Sequence, residues 1–457
     1  MNARRLAPLL LFAADLASVM LAFHVFGWMR GLLPFGSVDP VPLLLPFTVL
    51  ALAIYLIEGY SFRTDMLSVS YTSQHGIALL AAMLVMLLVT FVFLGGGYYL
   101  QSSRAVIAAS FVGLIPLTLT YRRRLALRML DQQQKRPIVF LGSQASCVAF
   151  KDTYDQNRMT QELLFFATDA TRHESISPLI EMEMQAISAL PSILDQLAQR
   201  IEAVVLHDTS RDLPFAVTER LIALNFTGVP TYTLELFHEV YWRKISLDRL
   251  NQTWPFQEGF QIAREPVFAR LKRLSDIVLA VVGLALFSPL IVLCAVVVWA
   301  EDRGPVFFRQ MRVGKNRVPF LIFKFRTMRP NASNDPYTRP NDSRITRVGR
   351  FLRAVRCDEL PQLWNVLRGE MSLIGPRAEW INLVERYEKD VPCYHFRHLV
   401  KPGITGWAQV NYPYGANLDD TLRKLEYDLY YIRYFSFVLD ASIVLKTIHI
   451  MLFGKGR

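Results

Sequence analysis

The sequence predicts a membrane protein of mixed α and α/β class. It divides into a four-helix transmembrane domain (1–130), a Rossmann-like α/β domain (131–260) and a mostly α C-terminal domain (261–457) carrying a re-entrant membrane helix at 277–299. Three observations predict this. The first 121 residues hold long apolar runs and only nine charged side chains, none of them lysine. Residues 136–260 alternate short apolar strands with helical patterns. Residues 277–299 carry no charge, yet both flanks are basic and Ser288-Pro289 sits near the middle.

Composition narrows the class. Of 457 residues, 52% are apolar and only 19% charged, and mean hydropathy is +0.25. Ordinary soluble chains carry about 25% charged residues. These values exclude a disordered, collagen-like or disulfide-stapled chain. The four cysteines, Cys147, Cys294, Cys357 and Cys393, are far apart and form no C-x-x-C, so a reducing compartment fits. Net charge is +11, and residues 303–356 hold fourteen Lys/Arg against two Asp. One basic stretch of that size expects an anion, such as a phosphate, a nucleotide or an acidic lipid.

The N-terminal elements follow from length. A bilayer core needs about 20 apolar residues per helix. Four runs qualify: 7–29, 41–57, 76–94 and 105–121. Turn-rich breaks separate them. Arg4 and Arg5 precede the first, while Arg122, Arg123, Arg124 and Arg128 follow the fourth. Positive flanks stay in the cytoplasm, so both ends are expected there.

The central segment reads as a parallel sheet. RPIVFLG (136–142), LLFFAT (163–168), IEAVVLHD (201–208) and GVPTYTL (228–234) are strand-like, and PSILDQLAQR (191–200) and FAVTERLIALNF (215–226) are helix-like. Strands alternating with helices give this fold. A dinucleotide fingerprint needs G-x-G-x-x-G so that backbone can approach a pyrophosphate. Only Gly142 is present, so the fold is expected without the cofactor. His207-Asp208, at the end of an apolar strand, is a position where parallel sheets carry sites, but it reads first as an ordinary strand-to-loop transition.

Beyond residue 300 the chain becomes basic. Arginines at 344, 347, 350, 353 and 356 alternate with Ile345, Val348, Phe351, Leu352 and Val355. This pattern suggests an interfacial helix with apolar side chains toward lipid. Phe437–Phe453 contains Asp440, Lys446 and His449 and is expected to pack or lie at the interface, because charges are costly in hydrocarbon.

The densest stretch, 358–378, is DELPQLWNVLRGEMSLIGPRA. Adjacent carboxylates in a basic, glycine-punctuated region suit phosphoryl chemistry: one can hold a divalent cation, the other can attack phosphorus. As a bare dipeptide, Asp358-Glu359 would instead be a helix cap. The wider pattern favours chemistry. KRLSD, Ser-Pro inside an apolar segment, KFRTM (324–328), the 358–378 stretch and KPGITGWAQVN (401–411) resemble, in order and spacing, the motifs of one known family. Here the sequence resembles the large polytopic polyprenyl-phosphate hexose-1-phosphate transferases of bacteria. The C-terminal segment is similar to their exosortase-associated exopolysaccharide subgroup. Ala378 stands where the family usually has proline, away from the expected catalytic groups, and Asn411-Tyr412-Pro413 replaces a common N-G-R.

The resemblance implies transfer of a hexose-1-phosphate, with glucose or galactose as the leading sugars. The donor is a UDP-sugar, the acceptor undecaprenyl phosphate and the product UMP, at the cytoplasmic face of the inner membrane. It assigns Asp358 as nucleophile and Glu359 as ligand for Mg²⁺. It assigns Lys324, Arg326, Arg356, Arg377 and Lys401 to phosphate, Lys272 and Arg273 to the membrane interface, and Ser288 and Pro289 to the re-entrant break. Membrane lipid is an expected partner and nucleic acid is not. A homodimer is expected by analogy, since the extra spans and the central domain add nothing to catalysis. The residues speak against two other classes. A membrane-anchored nucleotide-sugar dehydratase needs Y-x-x-x-K, and no tyrosine here is followed by lysine four residues on. A non-catalytic polysaccharide-assembly protein would not need Asp358-Glu359 before a phosphate-binding pattern.

Overall fold

The computed structural model describes residues 3–32, 41–61, 64–93, 103–133, 136–157, 159, 161–168, 184–197, 200–207, 213–247, 250, 254, 266–329, 342–412 and 417–453. Asp208 and Pro413 lie outside them. The chain forms two compact units: Met1–Thr64, Val69–Thr118 and Lys244–Arg457 make one, and Asp65–Ser68 with Leu119–Arg243 the other.

The first unit opens with apolar helices α1 (Ala3–Met29), α2 (Leu44–Leu56), α3 (Val69–Phe93) and α4 (Arg104–Gln133). Among the described residues, four helices are long and apolar enough to cross a membrane: Ala7–Met29, Val69–Val92, Arg104–Arg128 and Val267–Asp302. The expected second span is shorter than the others, at 13 residues after a one-turn lead-in at Val41–Leu43. At 1.5 Å per residue that helix is about 20 Å long, against a core of about 30 Å. Conversely, α3 starts earlier than its apolar run. α4 continues past it through Arg122–Arg124, because arginine is a good helix former whose stem can lie along apolar surface.

The second unit holds a five-stranded parallel sheet. Its strands are β1 (Ile138–Gly142), β2 (Leu163–Ala167), β3 (Met184–Ala186), β4 (Ala203–Leu206) and β5 (Thr231–Thr233), in the order β3-β2-β1-β4-β5. Ile138 pairs with Leu163 on one side and Ala203 on the other, so β1 is central and buried along its length. Strand β3 has no apolar run and was not legible in the sequence. Helix α5 (Gln144–Gln156) follows β1, with the Ser143 side chain accepting from Ser146 N. A Cβ at Gly142 would lie 3.0 Å from the Cβ of His207 and closer still to the Ser146 hydroxyl. The turn is therefore filled by side chains where a fingerprint would need glycines.

The remainder of the first unit begins with one 37-residue helix, α8 (Pro266–Asp302), named after α6 (Leu190–Leu197) and α7 (Phe215–Phe226) of the sheet unit. The Ser288 hydroxyl donates to Ala285 O at 2.8 Å. Residues 285–289 are all exposed. On either side of them α8 is packed: Ala280 lies with Phe320, Ile322, Leu363 and Val366, and Cys294 and Val298 lie with Phe325 and Leu352. An antiparallel hairpin follows, β6 (Phe307–Val313) and β7 (Pro319–Phe325). Then come α9 (Arg347–Ala354), α10 (Gln362–Arg368), β8 (Ser372–Ile374), α11 (Ile381–Asp390), β9 (Gly403–Thr405), α12 (Leu418–Arg433) and α13 (Phe437–Phe453). Strands β8 and β9 pair in parallel. Trp407, Tyr394, Leu425 and Leu429 form the core beneath them.

The arginine series is not one helix. Only 347–354 is helical; Arg344 precedes it, tied to Asp342, and Arg356 follows in the left-handed region at φ 55°. Glu301 accepts from Arg347 N and Val348 N and so caps the start of α9. Leu352 and Val348 pack inward on Cys294 and Val298, while Phe351 is exposed. Helix α13 is packed, with Asp440 and His449 buried and the His449 ring 2.9 Å from Ser73 of α3.

Candidate active site

Local rules build the carboxylate turn. Left-handed Arg356 ends α9 and starts a single 3-10 turn, Cys357–Glu359. Pro361 then sets φ near −62° at the N-cap of α10. Proline there removes only a donor the helix could not have used. Gly369, at φ 81°, ends α10, a conformation in which a Cβ is strained. Arg273 donates to the last carbonyls of α10, Val366 O and Leu367 O, at 2.5 and 2.6 Å.

Asp358 is 9% exposed and Glu359 sits in an ion pair with Lys324, Nζ to Oε1 2.7 Å. Arg377 approaches the same oxygen at 3.5 Å. Burial works against ionisation of Glu359, but Lys324, Arg377 and Arg356 outweigh it and bring its pKa to about 2. Asp358 goes the other way: burial raises its pKa, and neighbouring Glu359 adds to the rise, while Lys324, Arg353 and Arg377 oppose it. Burial pulls the Lys324 ammonium down, against the two carboxylates. The two adjacent carboxyls are thus shifted in opposite directions, Glu359 held firmly as an anion and Asp358 less stabilised in its charged form.

Asn365 joins the two halves of this pair. It is fully buried; Oδ1 accepts from Phe323 N at 3.1 Å, and Nδ2 donates to Leu321 O and Glu370 Oε2, both at 2.7 Å. Leu321 O and Phe323 N project from one edge of β7, so the side-chain amide pairs with that edge as a neighbouring strand would. It holds β7, which carries Lys324, against α10, which follows Glu359. The residue was visible inside the 358–378 stretch but gave no chemical signal of its own.

The other expected phosphate residues are spread more widely. Arg326 forms a two-pronged pair with Asp302, the last residue of α8. Arg356 acts on Glu359 by charge. Burial lowers the pKa of Lys401; nearby Arg273 adds to the fall and Asp276 opposes it. Lys272, expected at the membrane interface, is buried and paired with Asp440 at 2.6 Å, and Arg273 is taken up by α10. Ala378 lines the same small cavity as Lys324 and Arg377, and its carbonyl accepts from Arg312 Nη1 at 3.1 Å. It is therefore nearer the site than its sequence position suggests. Arg397 was not anticipated: it is buried, paired with Asp428 at 2.8 Å, and donates to Arg377 O at 3.0 Å, fixing the backbone there.

No cluster of three or more His, Cys, Asp or Glu occurs among the described residues. Magnesium does not require one, since it is bound by one or two carboxylates completed by substrate phosphates and water. Adjacent Asp358 and Glu359, the latter firmly ionised, fit that donor set.

Adjacent carboxylates beside Lys324 and Arg377, in a chain with long apolar helices, are an arrangement that phosphoryl chemistry can use. Residues 267–454 match the family described as bacterial sugar transferase. The chain belongs to this family of undecaprenyl-phosphate sugar-phosphate transferases. It is 42% identical over 261 residues to a UDP-N-acetylgalactosamine-undecaprenyl-phosphate N-acetylgalactosaminephosphotransferase of Aeromonas hydrophila, covering 57% of this chain and 61% of that one. It is 33% identical over 322 residues to a UDP-glucose:undecaprenyl-phosphate glucose-1-phosphate transferase of Klebsiella pneumoniae, covering 69% and 67%. An exopolysaccharide production protein of Rhizobium leguminosarum is 40% identical over 187 residues, 39% of this chain and 93% of that one. The chain thus spans about three fifths of the Aeromonas relative and two thirds of the Klebsiella one.

Proposed function

We propose that this protein transfers a hexose-1-phosphate from a UDP-sugar to undecaprenyl phosphate at the cytoplasmic face of the inner membrane, releasing UMP, as the first step of exopolysaccharide or O-antigen repeat synthesis. The observation that carries the reading is the split carboxylate pair, with Glu359 anchored by Lys324 and Arg377. An Asp358 oxygen attacks the phosphorus bearing the sugar. The bond from that phosphorus to the bridging oxygen breaks, and UMP leaves with the oxygen. A lipid phosphate oxygen then attacks the same phosphorus, the acyl–phosphate bond breaks and the carboxylate is restored. Glu359 would hold Mg²⁺, whose charge offsets that of the diphosphate. Lys324, Arg377 and Arg356 complement charge on the phosphoryl oxygens.

The reading includes a re-entrant α8. Both flanks of its exposed middle pack on the same β7, α9 and α10 layer, which supports entry and exit on one face. We read the assembly as a homodimer, testable by mass in detergent. Incubation with UDP-glucose, UDP-galactose or UDP-N-acetylgalactosamine alone should add one sugar phosphate to the intact mass and release UMP. Asp358→Asn should do neither while staying folded; near-normal turnover in that variant would rule out the mechanism. Label passing into undecaprenyl phosphate identifies the sugar.

A further inference from the structure

Lys324 and Arg377 line a small cavity beside the carboxylate pair, and Arg312 and Gln362 complete its polar wall. Ala378 and Gly403 help to close it. The polar lining consists of three cations and one amide, with no carboxylate. The space accepts about one oxygen-sized group. Gln362 opens α10, three residues past Glu359. It is 2% exposed, and its Nε2 has no hydrogen-bond partner among the described residues. Buried amide donors are almost always paired, so an open one on a residue that lines a cavity points to something absent from the fold itself. A surround of cations suits an anionic oxygen better than water. Lys324 has three N–H bonds, so sharing Glu359 leaves it able to donate further.

We propose that this cavity seats one phosphoryl oxygen of a substrate phosphate, and that Gln362 donates to it from Nε2. The proposal rests on the phosphotransfer reading above. The oxygen belongs either to the nucleotide's phosphate or to the lipid phosphate; both present the same chemistry.

The test compares wild type with Gln362→Met, which keeps the size and removes the donor. Melting temperature is read alone, with UMP, and with undecaprenyl phosphate in detergent micelles. The free variant should melt at or above the wild-type temperature, because an unpaired donor leaves the interior. A packing glutamine would give the opposite sign. Affinity for one ligand should fall roughly 10- to 100-fold, the size of one hydrogen bond to a charged group. Loss of the UMP shift assigns the oxygen to the nucleotide, and loss of the lipid shift assigns it to the acceptor. Retention of both shifts, or no shift by either ligand in wild type, overturns the proposal. Gln362→Glu gives a second check, since a carboxylate in the seat should pair with the cations, raise the melting temperature and exclude the ligand. Unaltered binding there also overturns it. These readouts need no turnover, so an inactive wild type would defeat the proposed reaction and leave the seat separately decided.

Discussion

The Ser288 hydroxyl donates to the Ala285 carbonyl at 2.8 Å. That carbonyl lies four residues before Pro289, the one position in the turn that has no N–H to give it. The serine thus satisfies the acceptor that proline orphans, at the exposed middle of α8. An unpaired carbonyl in hydrocarbon costs several kcal/mol, so the pair permits a break there. Arg270→Cys and Pro305→Cys, each in a cysteine-free background, should resist an impermeant thiol reagent until cells are opened. Pro289→Ala should let the helix run straight, expose position 305 from outside and lower activity. Labelling of position 305 alone in the parent protein would contradict a hairpin.

Replacing Lys324 tests the anchored carboxylate. Lys324→Met leaves Glu359 buried with a weaker counter-charge and should cost about 3–5 kcal/mol at neutral pH. Glu359 has a folded pKa near 2, below its unfolded value of about 4.3. Its stabilising contribution is therefore present above about pH 4.3 and lost as pH falls toward 2. Denaturation followed from pH 7 to 3 should show that acid loss in wild type and a flatter profile in Lys324→Met.

As the proposed nucleophile, Asp358 would have to be ionised to attack. Burial, with help from Glu359, raises its pKa, so the acid limb of the UMP burst should lie above the ordinary aspartate value of about 3.9. Arg353 opposes the rise, so Arg353→Gln should move the limb to still higher pH. A limb at or below 3.9 would remove Asp358 from the nucleophile's role.

Asn365→Ala strips partners from Phe323 N, Leu321 O and Glu370, and should destabilise by about 1–3 kcal/mol for each group left buried and unpaired. If its contribution to turnover runs through the Lys324–Glu359 pair, the effects of Asn365→Ala and Lys324→Met on kcat should be non-additive. Additive effects in the double mutant would make Asn365 a packing residue only.

The turn after β1 is occupied by Ser146 and His207 around Gly142. Calorimetric titration of the whole protein with NAD or NADP should show no micromolar binding. A micromolar isotherm would give the central sheet a cofactor role.

Much of the fold was legible because its signals are local. Run length against bilayer thickness picked out α1, α3, α4 and α8, and strand–helix alternation picked out β1, β2, β4 and β5. Their boundaries were less legible: α2 is shorter than its apolar run, and three-residue β3 carries no pattern of its own. The residue types at 358–378 pointed to phosphoryl chemistry, and their order with the flanking motifs pointed to the family. Tertiary structure alone decided which partner each charge meets. Lys324 reaches Glu359 across 35 residues, whereas Arg326, two positions on, goes to Asp302. Lys272 looks like a membrane-flanking cation in sequence but is buried against Asp440, 168 residues away. The arginine series has helical spacing, yet the chain turns left-handed at Arg356 and places Asp358 in the interior. The physical reason is range: periodicity and run length are set by a residue's own neighbours, while charge pairing and desolvation depend on segments brought together only when the chain packs.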